Sequence, residues 1–569
     1  MRCGREIQRE VFIKFVKKKV NIVFFVRQGV DILRLKKRNL VFAFGNIVKM
    51  QQMRQQLVTM VMIATVLILA FILYYFHWKY ELPQHPNIDE TITLNNIETL
   101  LSGKMVTSFN YPHLPYHYGH IMYRIASDFI DIKDITLFMR IVECGFGMLC
   151  NIFMYFTVKE LTGSRRWGYI GLLFALFSLY QAEFLYYAGP DVLLYGMASI
   201  IIFLGVKIYK EDDEKKVFFL WYPLIAICIG LAVSSKYHGI LFGLYWLILH
   251  VIKKYIRNMK YNVLFCIDCL LIVLVYLLVN YSLVVCFSDF MEGLVFNFSH
   301  YKEGHIGLEH NLPLLGYMEV FVIYGFGVVG ALLLIIGTIY LLSTRDYRGL
   351  MLAMMGVVVV VILTLSRYKL CLGRNISMIM PYACVFMTFG MYALENMGRK
   401  HISYRWVYVL AMVMICVNVG AFMISVGYPS SYLCAEEWIR DNIPNGATIY
   451  VDDAFYKPYI DEEHYKVVAG YCPEILGQNE YYIRTGYASK RYIQRKDYLL
   501  FEGDYMYPEE AERYYNEVER FCNVASFKGI THDREWRYRI GYLDWLRYGK
   551  EQYYKGPTID IYATINETN

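Results

Sequence analysis

Long apolar runs recur along the chain, separated by short basic segments or longer polar ones. Each run is close to the roughly 20 residues that a helix needs to cross a hydrocarbon core of about 30 Å. The pattern predicts eleven membrane-spanning helices, at 57–76, 135–157, 168–185, 191–209, 218–234, 238–252, 262–284, 315–342, 350–366, 375–394 and 406–427. The fold class is therefore a polytopic α-helical membrane protein with about eleven transmembrane helices.

The short loops on one side of these helices carry most of the lysines and arginines. These basic clusters lie at 159–166, 207–216, 253–260, 345–348 and 399–405. By the positive-inside rule, that side is the cytoplasm. The opposite side then receives the loop 77–134, the loop 285–314 and the chain beyond about residue 428.

The segment 1–56 is basic and is predicted to be cytoplasmic. Apolar and basic residues interleave in it, as in VFIKFVKKKV at 11–20, which suits an amphipathic helix on an anionic leaflet. The alternative is that translation starts at Met50 or Met53. We favour the alternative, because Arg54 before a long apolar helix resembles a signal-anchor.

The segment 431–569 has a different character and is predicted to be a soluble extracytoplasmic α/β domain. Residues 435–443 have a helix pattern and residues 447–451 a strand pattern. A second strand is expected at 497–503 and a second helix at 508–521. The transmembrane domain between the two terminal segments comprises residues 57–430.

The composition agrees with a membrane protein and gives no sign of a nucleic-acid partner. Of the residues 57% are hydrophobic and 19% charged, which excludes an ordinary soluble enzyme. The net charge of +7 reflects the basic loops and the N-terminal segment, so it gives no reason to expect nucleic acid. Most of the 13 cysteines fall in predicted helices, where they are expected to pack as small apolar residues.

An acidic pair, Asp89 and Glu90, follows the first predicted span in the outward loop 77–134. The loop continues through Tyr111 and His113 in the sequence YPHLPY. A carboxylate at a membrane surface can take a proton from an incoming hydroxyl, while its neighbour can bind a cation. An acidic pair in a loop is usually just solvated, so it is the position beside the membrane that indicates chemistry here.

Two further outward charges lie at turns between predicted spans. Asp191 follows a glycine and a proline, so it either caps a helix or belongs to a site. Lys236, in SSKYHG, either binds a lipid phosphate or extends to the interface. For each residue both interpretations stay open.

The loop 285–314 and a late hairpin complete the candidate site. His300 and His305 lie in HYKEGHIG, whose glycines permit sharp turns. Arg374 lies near two other outward cations, Arg367 and Lys369. Positive charge at this surface suits a phosphate or pyrophosphate leaving group.

These features together resemble the C-type membrane glycosyltransferases, within the branch of the dolichyl-phosphate-mannose protein mannosyltransferases and bacterial aminoarabinose transferases. The resemblance rests on the acidic pair, YPHLPY, the Asp191 turn, SSKYHG, HYKEGHIG and RNISMIMP, and it covers roughly residues 55–430. It implies inverting transfer of a sugar from a polyprenyl phosphate to an extracytoplasmic hydroxyl or amine. Loops 77–134 and 285–314 would then be the catalytic loops.

The resemblance also implies roles for individual residues. Asp89 would be the general base, with Glu90 and Asp191 shaping the site or holding a divalent cation such as Mg or Mn; no cofactor is certain. The expected substrate-binding residues are Arg140, Lys236, His300, His305, Arg374, Tyr111 and His113. Of these, Lys236, Arg374 and Arg140 would neutralise the departing lipid phosphate. Arg140 has an equal alternative, a buried pair with Glu143 at i and i+3.

The chain departs from the family pattern at two places. It has Arg374-Asn375 where an Arg-Tyr pair is common, which leaves Arg367-Tyr368 as a competing phosphate ligand. The loop 285–314 is too short for the β-trefoil insertion that eukaryotic protein mannosyltransferases carry. A protein acceptor is therefore not established, and an envelope glycan or a glycolipid fits at least as well. The same observation favours a bacterial plasma membrane.

Two other classes of protein fit part of the pattern. A transporter or flippase for lipid-linked sugars would explain the many spans, but such proteins place essential charges near the membrane midplane and show repeated halves. A noncatalytic envelope assembly protein would not need Asp89. Replacing that residue separates this class from the enzyme.

Overall fold

The structure is a computed structural model, and it is mostly helical. It describes residues 29–78, 88–178, 187–303, 312–368, 373–401, 405–427, 429–452, 457–469, 473–485, 499–501, 504–506, 521–529, 554 and 558–564. The chain divides into two compact units, Met1–Val66 and Leu67–Asn569.

The α-helices are numbered in chain order. Their bounds are α1 Gly29–Trp78, α2 Ile88–Leu101, α3 Leu114–Ser127, α4 Ile135–Cys150, α5 Ile152–Thr162, α6 Arg165–Leu176, α7 Pro190–Lys210, α8 Glu214–Lys216, α9 Tyr222–Ser235, α10 Phe242–Ile252, α11 Met259–Val279, α12 Phe287–Glu303, α13 Pro313–Glu319, α14 Gly327–Ser343, α15 Arg345–Leu365, α16 Met380–His401, α17 Arg405–Gly427 and α18 Ser431–Asn442. Short 3-10 helices occupy Tyr237–Leu241, Tyr255–Arg257, Tyr281–Val284 and Gly373–Ile379, and π-helical turns occupy Val217–Trp221 and Val320–Phe326.

Within the first unit, the described chain is helical. The hydroxyl groups of Thr59 and Thr65 donate to carbonyls one turn earlier, at 2.8 and 2.9 Å. This internal bonding lets polar side chains lie on an apolar helix without an unsatisfied donor. The basic run at 11–20 lies outside the described residues, so the nature of the segment 1–56 stays a prediction.

Seven helical segments among the described residues are long and apolar enough to cross a membrane. They are Met53–Tyr75, Ile135–Thr162, Pro190–Lys210, Glu214–Ser235, Met259–Val279, Arg345–Leu365 and Gly373–Met397. Each coincides with one of the eleven predicted spans. The multi-pass helical membrane class is therefore confirmed.

The other four predicted spans also coincide with described helices. The span 168–185 coincides with α6, which has 12 residues, and the span 238–252 coincides with the apolar stretch Tyr237–Ile252. The span 315–342 coincides with α13, the π-helical turn Val320–Phe326 and α14, and the span 406–427 coincides with α17, which has 23 residues. The count of eleven spans stays a prediction.

Capping residues in the sequence explain several helix ends. The Asp134 side chain accepts a hydrogen bond from the backbone N–H of Leu137, which begins α4. Gly163 ends α5 with a φ of 68°, a left-handed conformation that glycine adopts without strain. Pro190 is the first residue of α7, where its missing N–H costs no helical hydrogen bond.

Helices α14 and α16 approach each other unusually closely, because glycines face each other where they cross. A Cβ atom on Gly337 would lie 1.8 Å from the carbonyl oxygen of Phe386, and one on Gly390 would lie 2.0 Å from that of Leu333. Small residues allow such backbone contact between membrane helices. The contact holds α16, which follows directly on Gly373–Ile379.

The C-terminal part of the chain contains strands β1 Thr448–Val451, β2 Lys466–Ala469, β3 Glu480–Thr485, β4 Leu499–Phe501, β5 Asp504–Met506, β6 Cys522–Phe527 and β7 Ile559–Ala563. A five-stranded sheet has the order β2-β1-β3-β7-β6, and β4 pairs with β5 in a separate two-stranded sheet. The strands β2, β1 and β3 are parallel, whereas β7 is antiparallel to both β3 and β6. Helix α18 and the sheet share an apolar core that includes Ile439, Ile449 and Ile561.

The predicted helix at 435–443 and strand at 447–451 agree with α18 and β1. The predicted strand at 497–503 is partly described as β4, and the predicted helix at 508–521 lies outside the described residues except for Phe521. The boundary at residue 431 and the extracytoplasmic position stay predictions.

Candidate active site

The acidic pair lies in the first turn of α2, with Asp89 and Glu90 as its second and third residues. Successive residues of a helix point about 100° apart, so the two carboxylates face different surroundings. Asp89 is partly exposed, whereas Glu90 is completely buried. The pair therefore consists of one accessible and one inaccessible acid.

Asp89 forms an ion pair with Arg374, through its Oδ2 and the Nη1 of the arginine. The Tyr111 hydroxyl donates to the other carboxylate oxygen over 3.3 Å. The side chains of Asp89 and Arg374 keep 13% and 16% of their exposure. Both side chains of this pair thus keep some accessible surface.

Glu90 forms a buried bidentate ion pair with Arg140. Both carboxylate oxygens accept from the guanidinium at 2.7 Å, and its Nη1 donates to the Trp78 carbonyl at 2.8 Å. One glutamate oxygen also accepts from the backbone N–H of Ala188 at 2.8 Å. Paired charges at such depth stabilise one another but leave little capacity for another ligand.

The expected alternative for Arg140, a pair with Glu143 one turn away, is not the pairing that forms. Arg140 pairs instead with Glu90, 50 positions earlier in the chain. A Glu143 oxygen accepts from the backbone N–H of Gly189 at 2.6 Å. The local spacing was misleading because a bidentate partner on another helix matches the planar guanidinium better.

Asp191 and Lys236 form a second buried ion pair, with 2.8 Å between the lysine Nζ and the carboxylate Oδ1. Lys236 follows the last residue of α9 and is only 5% exposed. It therefore does not extend to the interface, which corrects that alternative. Asp191 is in the first turn of α7, so it contacts a cation and also lies at a helix N-terminus.

Two adjacent residues of the 3-10 helix Gly373–Ile379 connect the pairs. Arg374 contacts Asp89, and the Oδ1 atom of Asn375 lies 3.4 Å from the Lys236 Nζ. The partly exposed pair and the Asp191–Lys236 pair are thus neighbours. Of the two candidate phosphate ligands, Arg374 contacts Asp89, whereas Arg367 is exposed.

The hairpin that carries Lys236 is held tightly. A Cβ atom on Gly239 would lie 2.3 Å from the backbone carbon of Ala232, so only glycine permits this turn. The Ser234 hydroxyl accepts from the side-chain amide of Asn280 at 3.2 Å. These contacts fix the backbone that presents the lysine.

The His113 side chain is buried and packs against other side chains. Its ring nitrogens lie 3.0 Å from the Ser108 carbonyl and 3.3 Å from the Ser282 hydroxyl, and the ring stacks on Phe109. The backbone N–H donates to the Asn280 side chain at 2.8 Å. Burial disfavours the charged imidazolium and lowers the pKa of His113 to about 4.

The remaining expected residues are only partly visible. The backbone of His300 belongs to α12, and His305 lies outside the described residues. Their expected role in substrate binding therefore stays a prediction.

The expected metal ligands are not grouped as a metal site requires. No three acidic, histidine or cysteine side chains come together in the part of the chain that the structure describes. Both oxygens of Glu90 already bind Arg140, and Asp191 already binds Lys236. This donor set does not fit Mg or Mn, which prefer several free oxygen ligands.

Three contributors to the site were missed in the sequence. Asn280 bonds the backbone of His113 and the Ser234 hydroxyl, while Asn375 contacts Lys236 and Glu143 contacts Gly189. Each is a polar residue in or beside an apolar run. Such residues are costly in a membrane without a partner, and that cost is the signal from which they were identifiable.

The family model described as dolichyl-phosphate-mannose-protein mannosyltransferase matches residues 103–291. The match covers roughly a third of the chain, and it includes Tyr111, Arg140, Asp191 and Lys236. The resemblance that the sequence indicated is confirmed over this segment. No curated protein sequence matches the chain.

Several solved structures are similar to the chain at low sequence identity. ArnT from Cupriavidus metallidurans, bound to undecaprenyl phosphate, is 12% identical over 88% of this chain and 97% of that one, with a TM-score of 0.48. AglB from Archaeoglobus fulgidus, with an inhibitory peptide and a dolichol-phosphate, is 11% identical over 85% and 77%, with a TM-score of 0.46. The mycobacterial arabinofuranosyltransferase AftD is 10% identical over 89% and 42%, with a TM-score of 0.44.

Proposed function

We propose that this protein is a membrane glycosyltransferase that moves a sugar from a polyprenyl phosphate to an acceptor outside the cytoplasm. The observation that carries the proposal is the partly exposed Asp89–Arg374 pair beside the buried Asp191–Lys236 pair. It combines a carboxylate with two cations on a helix-rich membrane scaffold. The family match over residues 103–291 supports the same reaction class.

Asp89 is the proposed general base. Its carboxylate takes the proton from the acceptor hydroxyl as the hydroxyl oxygen forms a bond to the anomeric carbon. The bond between that carbon and the phosphate oxygen breaks, and its electron pair leaves with the phosphate. Attack from the face opposite the phosphate inverts the anomeric configuration.

Arg374 is proposed to contact Asp89 before the donor binds and the donor phosphate afterwards. Before the donor binds, its guanidinium neutralises Asp89. A donor phosphate offers a bidentate guanidinium partner of higher charge. When Arg374 turns toward the phosphate, the Asp89 carboxylate becomes free to accept a proton.

Lys236 is proposed to add the second positive charge that stabilises the leaving phosphate. Asp191 keeps it in place from the buried side, at 2.8 Å. The Glu90–Arg140 pair, which is fully buried, then serves to hold α2 against α4 rather than to contact substrate. No step of this mechanism uses a metal ion.

The partners and location belong to the same proposal. The donor is a polyprenyl-phosphate hexose or pentose, and the acceptor is an envelope glycan, a lipid or a protein hydroxyl. The protein lies in a plasma membrane, which we propose to be bacterial, with the site and the segment 431–569 on the extracytoplasmic side. His300 and His305 are proposed to line the sugar or acceptor.

The proposal is tested with purified protein in lipid nanodiscs and a panel of polyprenyl-phosphate hexoses and pentoses. Release of polyprenyl phosphate is measured for the native chain, for Asp89→Asn and for Asp128→Asn. Asp128 is an exposed aspartate of the same loop region, so it is the matched control. Turnover that Asp89→Asn removes and Asp128→Asn retains supports the enzyme. Donor binding without turnover in all three proteins favours the transporter or the assembly protein.

A further inference from the structure

Two successive backbone amides before α7 donate to carboxylates from two different helices. The N–H of Ala188 donates to Glu90 of α2 at 2.8 Å, and the N–H of Gly189 donates to Glu143 of α4 at 2.6 Å. Both glutamates have no exposed surface. The turn that begins α7 is thus held at two consecutive positions by buried acids.

Glu143 stands out because the proposed reaction does not use it. It lies within the membrane-spanning segment Ile135–Thr162, and its second oxygen, Oε1, has no hydrogen-bond partner among the described residues. Burying a carboxyl group with one oxygen unsatisfied costs free energy. A group retained at that cost in a membrane helix indicates a task.

The position of the bonded amide shows which task is possible. Gly189 directly precedes Pro190, whose ring fixes φ near −65°, and Asp191 is the next residue. Fixing the nitrogen of Gly189 therefore fixes the direction of the first turn of α7. Asp191 projects from that turn and binds Lys236.

We propose that Glu143 is a positioning residue: it holds Gly189 so that Asp191 keeps Lys236 in place for the donor phosphate. This inference rests on the proposed function for the role of Lys236, but the geometry it describes exists without turnover. Glu143 itself touches neither substrate nor Lys236. It acts on Lys236 indirectly, by fixing the backbone of the turn at 188–191 that carries Asp191.

The test measures how reactive Lys236 is toward an amine-acylating ester, by mass spectrometry of the labelled peptide in nanodiscs. Glu143→Leu removes the acceptor, whereas Glu143→Gln keeps a carbonyl oxygen for Gly189. We expect labelling of Lys236 to rise about tenfold or more in Glu143→Leu, as for the loss of one hydrogen bond to a charged group. Labelling in Glu143→Gln should stay near native. The exposed Lys104 is the internal control and should not change.

A second arm separates positioning from general loosening of the fold. In an Asp191→Asn background Lys236 has already lost its carboxylate, so Glu143→Leu should add nothing further to its labelling. Additive increases, or equal increases at Lys104, would overturn the proposal. If Glu143→Leu does not fold, Glu143→Asp replaces it, because the shorter side chain withdraws the acceptor and should expose Lys236 in the same way.

The labelling result for Lys236 and the transfer activity can fail independently of each other. Labelling requires neither donor nor turnover, so a native chain without transfer activity would refute the reaction and leave the positioning result standing. Conversely, unchanged labelling in Glu143→Leu with full transfer activity would refute only the positioning role. Binding of undecaprenyl phosphate to the same variants links the two, because released Lys236 should weaken it by a similar factor.

Discussion

Replacing Arg374 by glutamine is the most informative change at the site, because the arginine contacts the proposed base. In the native chain the pair keeps only 13% and 16% exposure. Exposed ion pairs contribute about 0–1 kcal/mol, and breaking a fully buried one costs about 3–5 kcal/mol. For this partly buried pair we expect Arg374→Gln to lower stability by about 2 kcal/mol.

The expected loss of activity is larger than the loss of stability explains. Removing one charged group that stabilises a leaving oxyanion costs about 10²- to 10³-fold in rate. At a temperature where the variant stays folded, we therefore expect transfer to fall about 10²-fold or more. Arg374→Lys should recover part of this rate, since it restores the charge but not the bidentate geometry.

The assay compares initial rates of polyprenyl-phosphate release with thermal unfolding of the same nanodisc samples. Arg124→Gln is the matched control, because Arg124 is an exposed arginine of α3 and should retain the native rate. If Arg374→Gln kept the native rate while folded, Arg374 would not stabilise the leaving phosphate. If instead Arg367→Gln lost activity and Arg374→Gln did not, Arg367 would be the phosphate ligand, as in the competing Arg367-Tyr368 match.

Three further predictions concern the parts of the fold that hold the site. Glu90→Gln leaves Arg140 buried with an uncharged partner, so it should lower the free energy of unfolding by about 3 kcal/mol, measured by thermal unfolding; a loss of activity at unchanged stability would contradict this structural role. The pKa of His113 is about 4 in the folded chain and 6.5 in the unfolded one, so stability should be constant above pH 6.5 and fall as pH decreases toward 4, where the unfolded state binds the extra proton. His113→Gln should flatten that slope, and an unchanged slope would be the contrary result. Gly390→Ala should destabilise the chain by about 1–3 kcal/mol or more, because its Cβ would lie 2.0 Å from the Leu333 carbonyl; Gly420→Ala, with open space around its Cβ, is the control and should unfold near the native temperature.

The sequence predicts the parts of this molecule that depend on local patterns. Apolar runs locate the seven long spans, and basic loops assign one side to the cytoplasm. That assignment groups Asp89, Asp191, Lys236 and Arg374 on the same side. The contacts Asp89–Arg374 and Asp191–Lys236 agree with that grouping.

The pairing itself was not predictable from sequence. Arg374 is 285 positions beyond Asp89 in the numbering of the chain, and no local pattern connects them. The i, i+3 spacing of Arg140 and Glu143 suggested a local pair, but packing of α2 against α4 gives Arg140 a better partner in Glu90. In the C-terminal segment, the strands β2, β3, β5, β6 and β7 were not predicted. Of these, β3 and β6 both pair with β7 across long stretches of chain.

Single-turnover transfer by Asp89→Asn, with binding of the same polyprenyl-phosphate sugar measured alongside, decides whether Asp89 is the general base. If Asp89 is the base, the variant should bind the donor within a few-fold of the native chain and lose transfer by about 10²- to 10⁴-fold. A variant that transfers sugar at the native rate would show that Asp89 is not the base.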